Sequence, residues 1–305
     1  MKKIPHPIQY QGSKRNLASA IVRYVPPNVD CLIEPFAGSA AISIAVAARQ
    51  LASRYRLNDL NPPLAGLLQR IVESPAESAA FYEALWHEQQ GDASDPHRSI
   101  AHYYQVRADF NRTQDPHLFH YLLARCVKAS VRYNAAGLFN QSPDKRRQGT
   151  RPKTMRARIF GVSALLKGKA EFSALDYRDV LQQAAQNDLV YLDPPYQGVC
   201  GSRDARYFSS VDHDDFVAAL AALNARSIAY LVSYDGRCGE KKFGEPLPAR
   251  LELTHVELAA GRSSQATLLG RNESTTESLY LSPALNDKLA IAASHSAANS
   301  REGTS

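Results

Sequence analysis

Short apolar runs alternate with helical patterns near both ends of the chain. Residues 31–34 and 187–192 each contain a short apolar run bounded by turn residues, which predicts buried strands. Further strands are predicted over 54–59, 170–175, 227–233, 251–258 and 278–281. A glycine turn and an Ala/Ile/Val-rich helix over 40–48 follow the first strand, which is the opening of a nucleotide-binding α/β unit.

Four consecutive helical patterns interrupt that alternation in the middle of the chain. They cover residues 64–72, 79–90, 99–112 and 118–131 and are joined by Pro- or Asp-rich breaks. We therefore interpret 64–158 as an inserted helical lobe, and 1–63 with 159–283 as one discontinuous α/β domain. Residues 284–305 are rich in Ala, Ser and Asn with little to pack, and we predict a disordered tail there.

The stretch Asp193-Pro194-Pro195-Tyr196 closes the predicted strand over 187–192. Proline fixes φ and has no backbone N–H, so the turn is stiff and its carbonyl groups are free acceptors. The Asp193 carboxylate, the Pro194 carbonyl and the Tyr196 ring are then expected to face the same space. Two acceptors and a stacking ring suit a planar group with an NH2, such as a nucleobase. The alternative is a solvent-exposed turn that only ends a strand.

Other predicted strands also end in residues that suit a nucleotide-like ligand. Gly38, after the first strand, allows close approach of a ligand to the backbone, although a single glycine does not support a dinucleotide phosphate cradle. Asp59 ends the second strand, where an acid can bind ribose hydroxyls. Alternatively, Asp59 caps the helix that starts at Pro62, a role for which Asn61 competes.

Two further segments are candidates for the same site. Asp176 and Tyr177 follow the strand over 170–175, where the acid could accept from an adenine amine and the ring could pack on the base; alternatively, Asp176 only caps the next helix. Tyr10 and Lys14 flank a glycine turn before a helical pattern, which suits a small-ligand pocket. An ordinary turn with Ser13 as the helix cap is the alternative.

Positive charge is concentrated in the predicted helical lobe rather than in the rest of the chain. The 305-residue chain has a net charge of +6, and its most basic stretch lies in a predicted Gly/Pro-broken loop at 145–158. Clustered Lys and Arg neutralise phosphates, and Arg can read guanine, so we favour a nucleic-acid surface over a solvated charged loop. The predicted contacts are Lys128, Arg132, Asn134, Asn140, Lys145, Arg146, Arg147, Arg151 and Lys153.

Several classes of protein are disfavoured. The four cysteines are scattered, without ligand spacing to one another or to a histidine, which argues against a metal site and for reduced thiols. The first residues lack the apolar core of a signal peptide, and no apolar run approaches a membrane span. We expect a cytoplasmic protein with no metal and no membrane contact.

Seven motifs occur in one order along the chain: YQGSK at 10–14, EPFAGSA at 34–40, LND at 57–59, RYNAAGLFN at 132–140, LDY at 175–177, VYLDPPY at 190–196 and VSYD at 232–235. On these motifs the chain resembles the Dam-type DNA adenine methyltransferases of bacteria and phages, in the group whose cofactor motifs come first. The resemblance implies a Rossmann-like methyltransferase sheet with helices on both faces and an inserted, mainly helical DNA-recognition lobe. It also implies S-adenosylmethionine as methyl donor and double-stranded DNA as partner. We expect a monomer, with a dimer as the alternative.

Roles follow from the resemblance position by position. Cofactor contacts are implied for Tyr10, Lys14, Phe36, Gly38, Asp59, Asp176, Tyr177 and Asp193, catalysis for Asp193, Pro194 and Tyr196, and base reading for Arg132. One departure is Ala40, where the family usually has a second glycine.

The implied mechanism is direct methylation of a flipped adenine, whose amine is held by Asp193 and Pro194. Alternatives are a cytosine amine, an RNA adenine, a protein glutamine amide, or an inactive DNA-binding homologue. Aspartate at 193 favours adenine by resemblance, and the basic lobe disfavours a protein substrate.

Overall fold

A mixed eight-stranded sheet forms the centre of the protein, for which a computed structural model describes residues 4–90, 98–195, 211–238, 241–243, 246–262 and 274–302. The strands are β1 (Val29–Glu34), β2 (Ala52–Asn58), β3 (Ala170–Ser173), β4 (Leu189–Leu192), β5 (Ala229–Cys238), β6 (Lys241–Phe243), β7 (Thr254–Arg262) and β8 (Ser274–Leu281). Their order is β3-β2-β1-β4-β5-β8-β7, with β6 paired to β5. The first five strands are parallel, whereas β6 and β8 are antiparallel to β5 and β7 is antiparallel to β8.

Helices connect and cover these strands. They are α1 (Ala18–Ile21), α2 (Ala41–Ala48), α3 (Pro62–Glu73), α4 (Pro75–Glu88), α5 (Arg98–Thr113), α6 (Pro116–Arg125), α7 (Pro152–Leu166), α8 (Tyr177–Gln182), α9 (His213–Ala225) and α10 (Pro283–Glu302). Parallel strands with intervening helices form a Rossmann-like α/β fold, as the sequence predicted.

The two faces of the sheet bury separate cores. Successive strand residues point to opposite faces, and in β1 and β4 both sets are apolar. Leu32 and Tyr191 join a large core under α1, α2, α3 and α7. Ile33 and Val190 join a second core under α8 and α9. The predicted placement of helices on both faces is confirmed.

The central helices form a bundle that shares the larger core. Helices α4 and α6 pack on each other and on α3, α4 also packs on α7, and α5 packs on α6. Helix α3 in turn contacts β3 of the sheet. Phe110 and Phe119 stack with ring centroids 5.0 Å apart, and Phe139 meets both rings edge-on at 5.8 Å. These rings and Leu32 of β1 belong to one continuous buried cluster. Division into an α/β domain and an inserted lobe at residues 64 and 158 stays a prediction.

Two boundaries in the lobe differ from the predicted ones. The helix expected over 118–131 ends at Arg125, and Lys128 adopts a left-handed φ of 58° shortly afterwards. Conversely, the basic stretch at 145–158 is not all loop, because α7 begins at Pro152. Proline is well suited to the first turn of a helix, where no N–H bond is lost.

The predicted disordered tail is wrong, since α10 occupies Pro283–Glu302 and packs against β5. Leu285 is fully buried and Leu289, one turn later, packs against the same core. Ser282 Oγ accepts from the Tyr230 and Leu285 amides and so fixes the start of the helix. Two leucines at i and i+4 were enough to anchor a polar, alanine-rich segment.

Candidate active site

A cavity of about 250 Å³ lies at the carboxyl ends of the parallel strands. Its walls come from the turns after β1, β2, β3 and β4, so it spans the point between β1 and β4 where the strand order reverses. Ligands of open α/β sheets bind at that point. The predicted residues that line it are Tyr10, Lys14, Phe36, Gly38, Asp59, Asp176, Tyr177, Asp193 and Pro194. Tyr196 lies outside the described residues.

Lys14 binds two carboxylates, one just after β4 and one on β8. Its Nζ lies 3.2 Å from Asp193 Oδ1 and 2.8 Å from Glu277 Oε2 on β8, and the lysine is only 6% exposed. A buried ammonium needs such partners, since an unpaired charge is costly away from water. Sequence reasoning missed Glu277, because Glu-Ser-Leu-Tyr-Leu reads as an ordinary strand.

Burial raises the pKa of Asp193 to about 6, against the opposing effect of the Lys14 ammonium; the negative charge of Glu277 adds to the rise. The carboxylate is therefore less stabilised in its charged form than an exposed aspartate. A carboxylate in this state is a good acceptor for an N–H group.

Asp59 fastens two turns by accepting backbone hydrogen bonds. Its Oδ2 accepts from the Gly38 amide at 2.9 Å and its Oδ1 from the Asn61 amide at 3.0 Å. Burial raises the pKa of Asp59 to about 6, although both bonds oppose the shift. Asn61, not Asp59, occupies the cap position of α3, so the alternative helix-cap role for Asp59 is wrong.

The turn after β1 contains two residues with left-handed backbone. Gly38 has φ +51°, and a Cβ added to it would stand 3.3 Å from Cε1 of Tyr10. Ala40, at the position where the family usually has glycine, has φ 52° and is completely buried. Alanine is therefore accommodated here with local backbone strain.

Asn58 ties three strand ends together from inside the protein. Its Nδ2 donates to the carbonyls of Pro35 and Leu175, both at 2.9 Å. Its Oδ1 accepts from Ser173 Oγ at 2.7 Å and from the Leu175 amide at 2.8 Å. The side chain is 1% exposed with every hydrogen-bonding group satisfied. The motif LND contained it, but its role could not be read without the positions of its partners.

Phe36 and Tyr177 form an aromatic wall with ring centroids 5.2 Å apart. Asp176 caps α8 by accepting from the Arg178 amide, and Arg178 Nε and Nη2 also bind its two oxygens at 2.9 and 3.1 Å. That guanidinium lowers the pKa of Asp176. The alternative helix-cap role is confirmed, and contact of Asp176 with an adenine amine stays a prediction.

Glu34, at the end of β1, is buried beside the cavity. Its Oε2 accepts from the amide nitrogen and the hydroxyl of Ser43 in α2. Burial raises the pKa of Glu34 to about 8, with Asp193 and Asp59 adding to the rise. Glu34 is thus largely protonated at neutral pH.

Acidic side chains predominate in the cavity wall. Lys14 and Arg178 are its only cations among the described residues, whereas six carboxyl groups line it: Glu34, Asp59, Asp176, Asp193, Asp212 and Asp215. Even with Glu34 neutral, the wall favours a positively charged ligand.

The segment between α6 and α7 carries most of the predicted DNA contacts on its surface. Lys145, Arg146, Arg147, Arg151 and Lys153 are exposed, as are Asn134 and Asn140, whereas Arg132 is half-buried. Lys128 and Arg147 line a second cavity of about 240 Å³ next to the chain's first turn.

The Asn134 side chain builds a turn: its Oδ1 accepts from the amides of Ala136 and Leu138. The two hydrogen bonds to Asn134 therefore stabilise the exposed turn over residues 134–138. Any contact of this side chain with DNA stays a prediction.

The buried Arg125 side chain binds the backbone of the basic stretch that begins near residue 145. It is 2% exposed, and its Nη1 donates to the carbonyls of Asp144, at 3.1 Å, and Arg147. Nη2 donates to Ser99 Oγ at 2.8 Å. No sequence pattern distinguished Arg125 from the exposed arginines around it.

Two contacts join this segment to the first cavity. Tyr133 Oη and Asn61 Nδ2 lie 3.2 Å apart, and the Gln11 amide donates to the Ala129 carbonyl at 2.9 Å. Gln11 and Asn61 both line the first cavity. The predicted recognition segment therefore touches its wall directly.

The described residues contain no group of three or more His, Cys, Asp or Glu side chains arranged to hold a metal ion. In the same part of the chain, no helix combines the length and apolarity needed to cross a membrane.

The family model that matches this chain and three similar proteins are all named for the methylation of adenine in DNA. The family model for D12 class N6 adenine-specific DNA methyltransferases matches residues 10–252. A DNA adenine methylase of Salmonella typhi is 30% identical over 200 residues, covering 64% of this chain and 66% of that protein. The DNA adenine methylase of Escherichia coli K12 is 29% identical over 201 residues, with 64% and 66% covered. A DNA N-6-adenine-methyltransferase of Escherichia phage P1 is 27% identical over 212 residues, which cover 67% of this chain and 26% of the phage protein.

Proposed function

Because the chain belongs to the D12 class of N6 adenine-specific DNA methyltransferases, we propose that it methylates the exocyclic amine of adenine in double-stranded DNA, with S-adenosylmethionine as donor. The observation that carries the proposal is the meeting of Asp193 and Pro194 with Lys14, Asp59 and Gly38 around one cavity. These residues come from four distant parts of the chain. A turn that only closed a strand would need none of them.

The chemistry of the cavity fits the proposed donor. S-adenosylmethionine has a sulfonium and an ammonium group, and the surplus of carboxyl groups suits both charges. Gly38 leaves room for close approach at the turn after β1. In this proposal Asp59 binds the ribose, Phe36 and Tyr177 flank the adenine ring, and Tyr10 and Lys14 close the other side.

When bound, S-adenosylmethionine supplies an electrophilic methyl group on its sulfonium. The chain's own contribution is to hold and polarise the amine that attacks it. The amine of the substrate donates one hydrogen bond to the Asp193 carboxylate and can donate a second to the Pro194 carbonyl. These hydrogen bonds draw the lone pair of the amine nitrogen out of conjugation with the ring. Positioning and electrostatics supply the catalysis.

The target base must leave the double helix to reach this cavity. Flipping costs a few kcal/mol, which phosphate contacts from Lys145, Arg146, Arg147, Arg151 and Lys153 would offset. We propose that residues 64–158 are the DNA-recognition insertion, with Arg132 reading a base and Lys128, Asn134 and Asn140 nearby. Residues 1–63 and 159–283 form the catalytic domain. Tyr196 would stack on the flipped adenine, and such a stack contributes about 1–3 kcal/mol.

Methyl transfer from labelled donor to a panel of oligonucleotides tests this function. We expect label in duplex DNA that contains adenine, and none in duplexes built only from G·C pairs or in RNA. Label in cytosine or RNA would favour the alternative acceptors. Mapping methylated adenines across the genome of a methylation-free host would then give the target sequence.

The variant Asp193→Ala tests the site. We expect methylation to be abolished with the fold intact, because Lys14 keeps Glu277 as a partner. Asp30→Ala, exposed on β1, is the matched control and should retain full activity. Near-wild-type turnover of Asp193→Ala would contradict the proposed site.

A further inference from the structure

Glu277 meets the Lys14–Asp193 pair from a part of the chain that no motif covers. It lies on β8 and pairs in register with Gly236 of β5. Its Oε2 is 2.8 Å from Lys14 Nζ, closer than the 3.2 Å between that nitrogen and Asp193 Oδ1. The ammonium is therefore shared by two carboxylates and lies nearer the one outside the catalytic motif.

We propose that Glu277 is a positioning residue, which holds the Lys14 ammonium so that Asp193 keeps acceptor capacity for the substrate amine. The inference rests on the proposed function, since it assigns Glu277 to the same reaction. Glu277 acts on Asp193 through the Lys14 ammonium, without contact between Glu277 and the substrate.

The charge balance supports this role. Lys14 and Asp193 alone would form a neutral pair in a buried place, with the ammonium able to draw closer to that one carboxylate. Such a pair would occupy the oxygen that the amine needs and would lower the pKa of Asp193. The second carboxylate makes the group of three net negative. Burial, helped by Glu277, keeps the pKa of Asp193 raised in spite of Lys14.

Other titratable groups near the Asp193 carboxylate also contribute to its electrostatic environment. Glu34 at the end of β1 and Asp59 at the end of β2 line the cavity with Asp193. Tyr191 lies two residues before it on β4, with its hydroxyl 2.8 Å from Ser233 Oγ. Glu277→Gln alters none of these groups chemically, so the substitution tests the contact of Glu277 with Lys14.

Glu277→Gln removes the charge and retains the shape, and its single-turnover methylation can be followed against pH. We expect the rate at neutral pH to fall by about tenfold or more, the factor that corresponds to one pK unit. The acid limb of the profile should move to lower pH, while the dissociation constant of the donor changes by less than about threefold. Glu277→Asp should restore part of the rate. Glu73→Gln, an exposed charge at the end of α3, is the control and should match the wild type.

A double-mutant cycle tests whether the effect passes through Lys14. In a Lys14→Met background, Glu277→Gln should have little further effect on the rate, because the shared ammonium is absent. An undiminished effect there, an unmoved acid limb, or an equal loss of donor affinity and rate would each overturn the inference.

A titration of the Asp193 carboxyl by carbon-detected NMR separates this inference from the proposed function. If the wild type transferred no methyl group, the proposed function would fail, and the titration would still decide the ion network. We expect the apparent pKa of Asp193 to be lower in Glu277→Gln and intermediate in Glu277→Asp. An unchanged value in both folded variants would overturn the role of Glu277.

Discussion

The Gly38 amide donates to Asp59 Oδ2 across 2.9 Å, so the turn after β1 and the end of β2 hold each other in position. A ligand that approaches Gly38 therefore also meets the Asp59 carboxylate. The glycine turn and the acid 21 residues later are therefore coupled by one hydrogen bond.

Asp59→Ala should weaken binding of S-adenosylmethionine by about 10- to 100-fold. It removes both a proposed ribose acceptor and the bond that fixes Gly38, and a hydrogen bond to a charged group contributes about 1.5–3 kcal/mol. Titration calorimetry measures the change. Asp30→Ala, which removes an exposed acid from β1, should bind the donor as the wild type does.

Neutralising Lys145, Arg146 and Arg147 together with glutamine should weaken DNA binding uniformly over sequences. The salt dependence of the binding constant should fall in slope by about 0.9 for each phosphate that the variant no longer neutralises. Fluorescence anisotropy over a range of salt concentrations measures it, and donor affinity should not change. A control with three exposed cations outside the lobe, Arg23, Arg54 and Lys169, has the same net charge. Equal slopes for the two triple variants would exclude a special role for the basic loop.

Asn58→Ala should destabilise the protein by about 3 kcal/mol or more, since it removes four hydrogen bonds of a buried side chain that contribute about 1 kcal/mol each. Urea unfolding measures the free energy. Asn286→Ala, whose side chain makes one exposed bond to Thr254, should cost less than about 1 kcal/mol. A similar cost for both variants would show that the buried network does not stabilise the strand ends.

Ala40→Gly should change stability by less than about 1 kcal/mol. Relief of left-handed strain, about 1–2 kcal/mol, is opposed by the loss of a buried methyl, about 0.8 kcal/mol, and by the greater freedom of glycine in the unfolded chain. Ala45→Gly, inside α2 with ordinary helical backbone, has no strain to relieve and should cost about 1–2 kcal/mol. Thermal unfolding distinguishes them, and equal losses would argue against strain at Ala40.

Stability without ligand should fall as pH rises from about 6.5 to about 8. The pKa of Glu34 is raised by burial from 4.5 to about 8, so the folded state binds a proton that the unfolded state releases. That stabilisation is complete at low pH and is lost as pH rises through the folded value. His6 and His120 act below this window, because burial lowers the pKa of each from 6.5 to about 4.

Glu34→Gln should flatten the profile between those pH values, since glutamine does not titrate. Chemical unfolding at several pH values gives the slope, and Glu73→Gln serves as the exposed control. A slope unchanged by Glu34→Gln would assign the pH dependence to another group.

The parallel strand ends could be predicted from the sequence because each contributes a local signal. Asp59 and Asp193 each lie at the end of a predicted strand, and parallel strands place their carboxyl ends at one edge. Glu277 could not be found in this way, since β8 is antiparallel and its neighbours are set by pairing far along the chain. The same holds for Asn58, whose partners lie in separate turns.

Local composition gave the wrong secondary structure in two segments, because tertiary contacts outweigh local preference there. The basic stretch looked like a loop, but Met155 and Ile159 are completely buried and hold α7 in the core. The polar tail likewise became α10 through Leu285 and Leu289. In both, apolar side chains one turn apart determined the helix despite polar surroundings.

Helices α6 and α7 enter the shared core on either side of residues 126–151, and the buried Phe139 anchors the middle of this segment in the same core. The exposed side chains of this segment can be exchanged without disturbing that packing or the walls of the first cavity. Side chains on this surface can therefore vary in charge and size at little cost in stability.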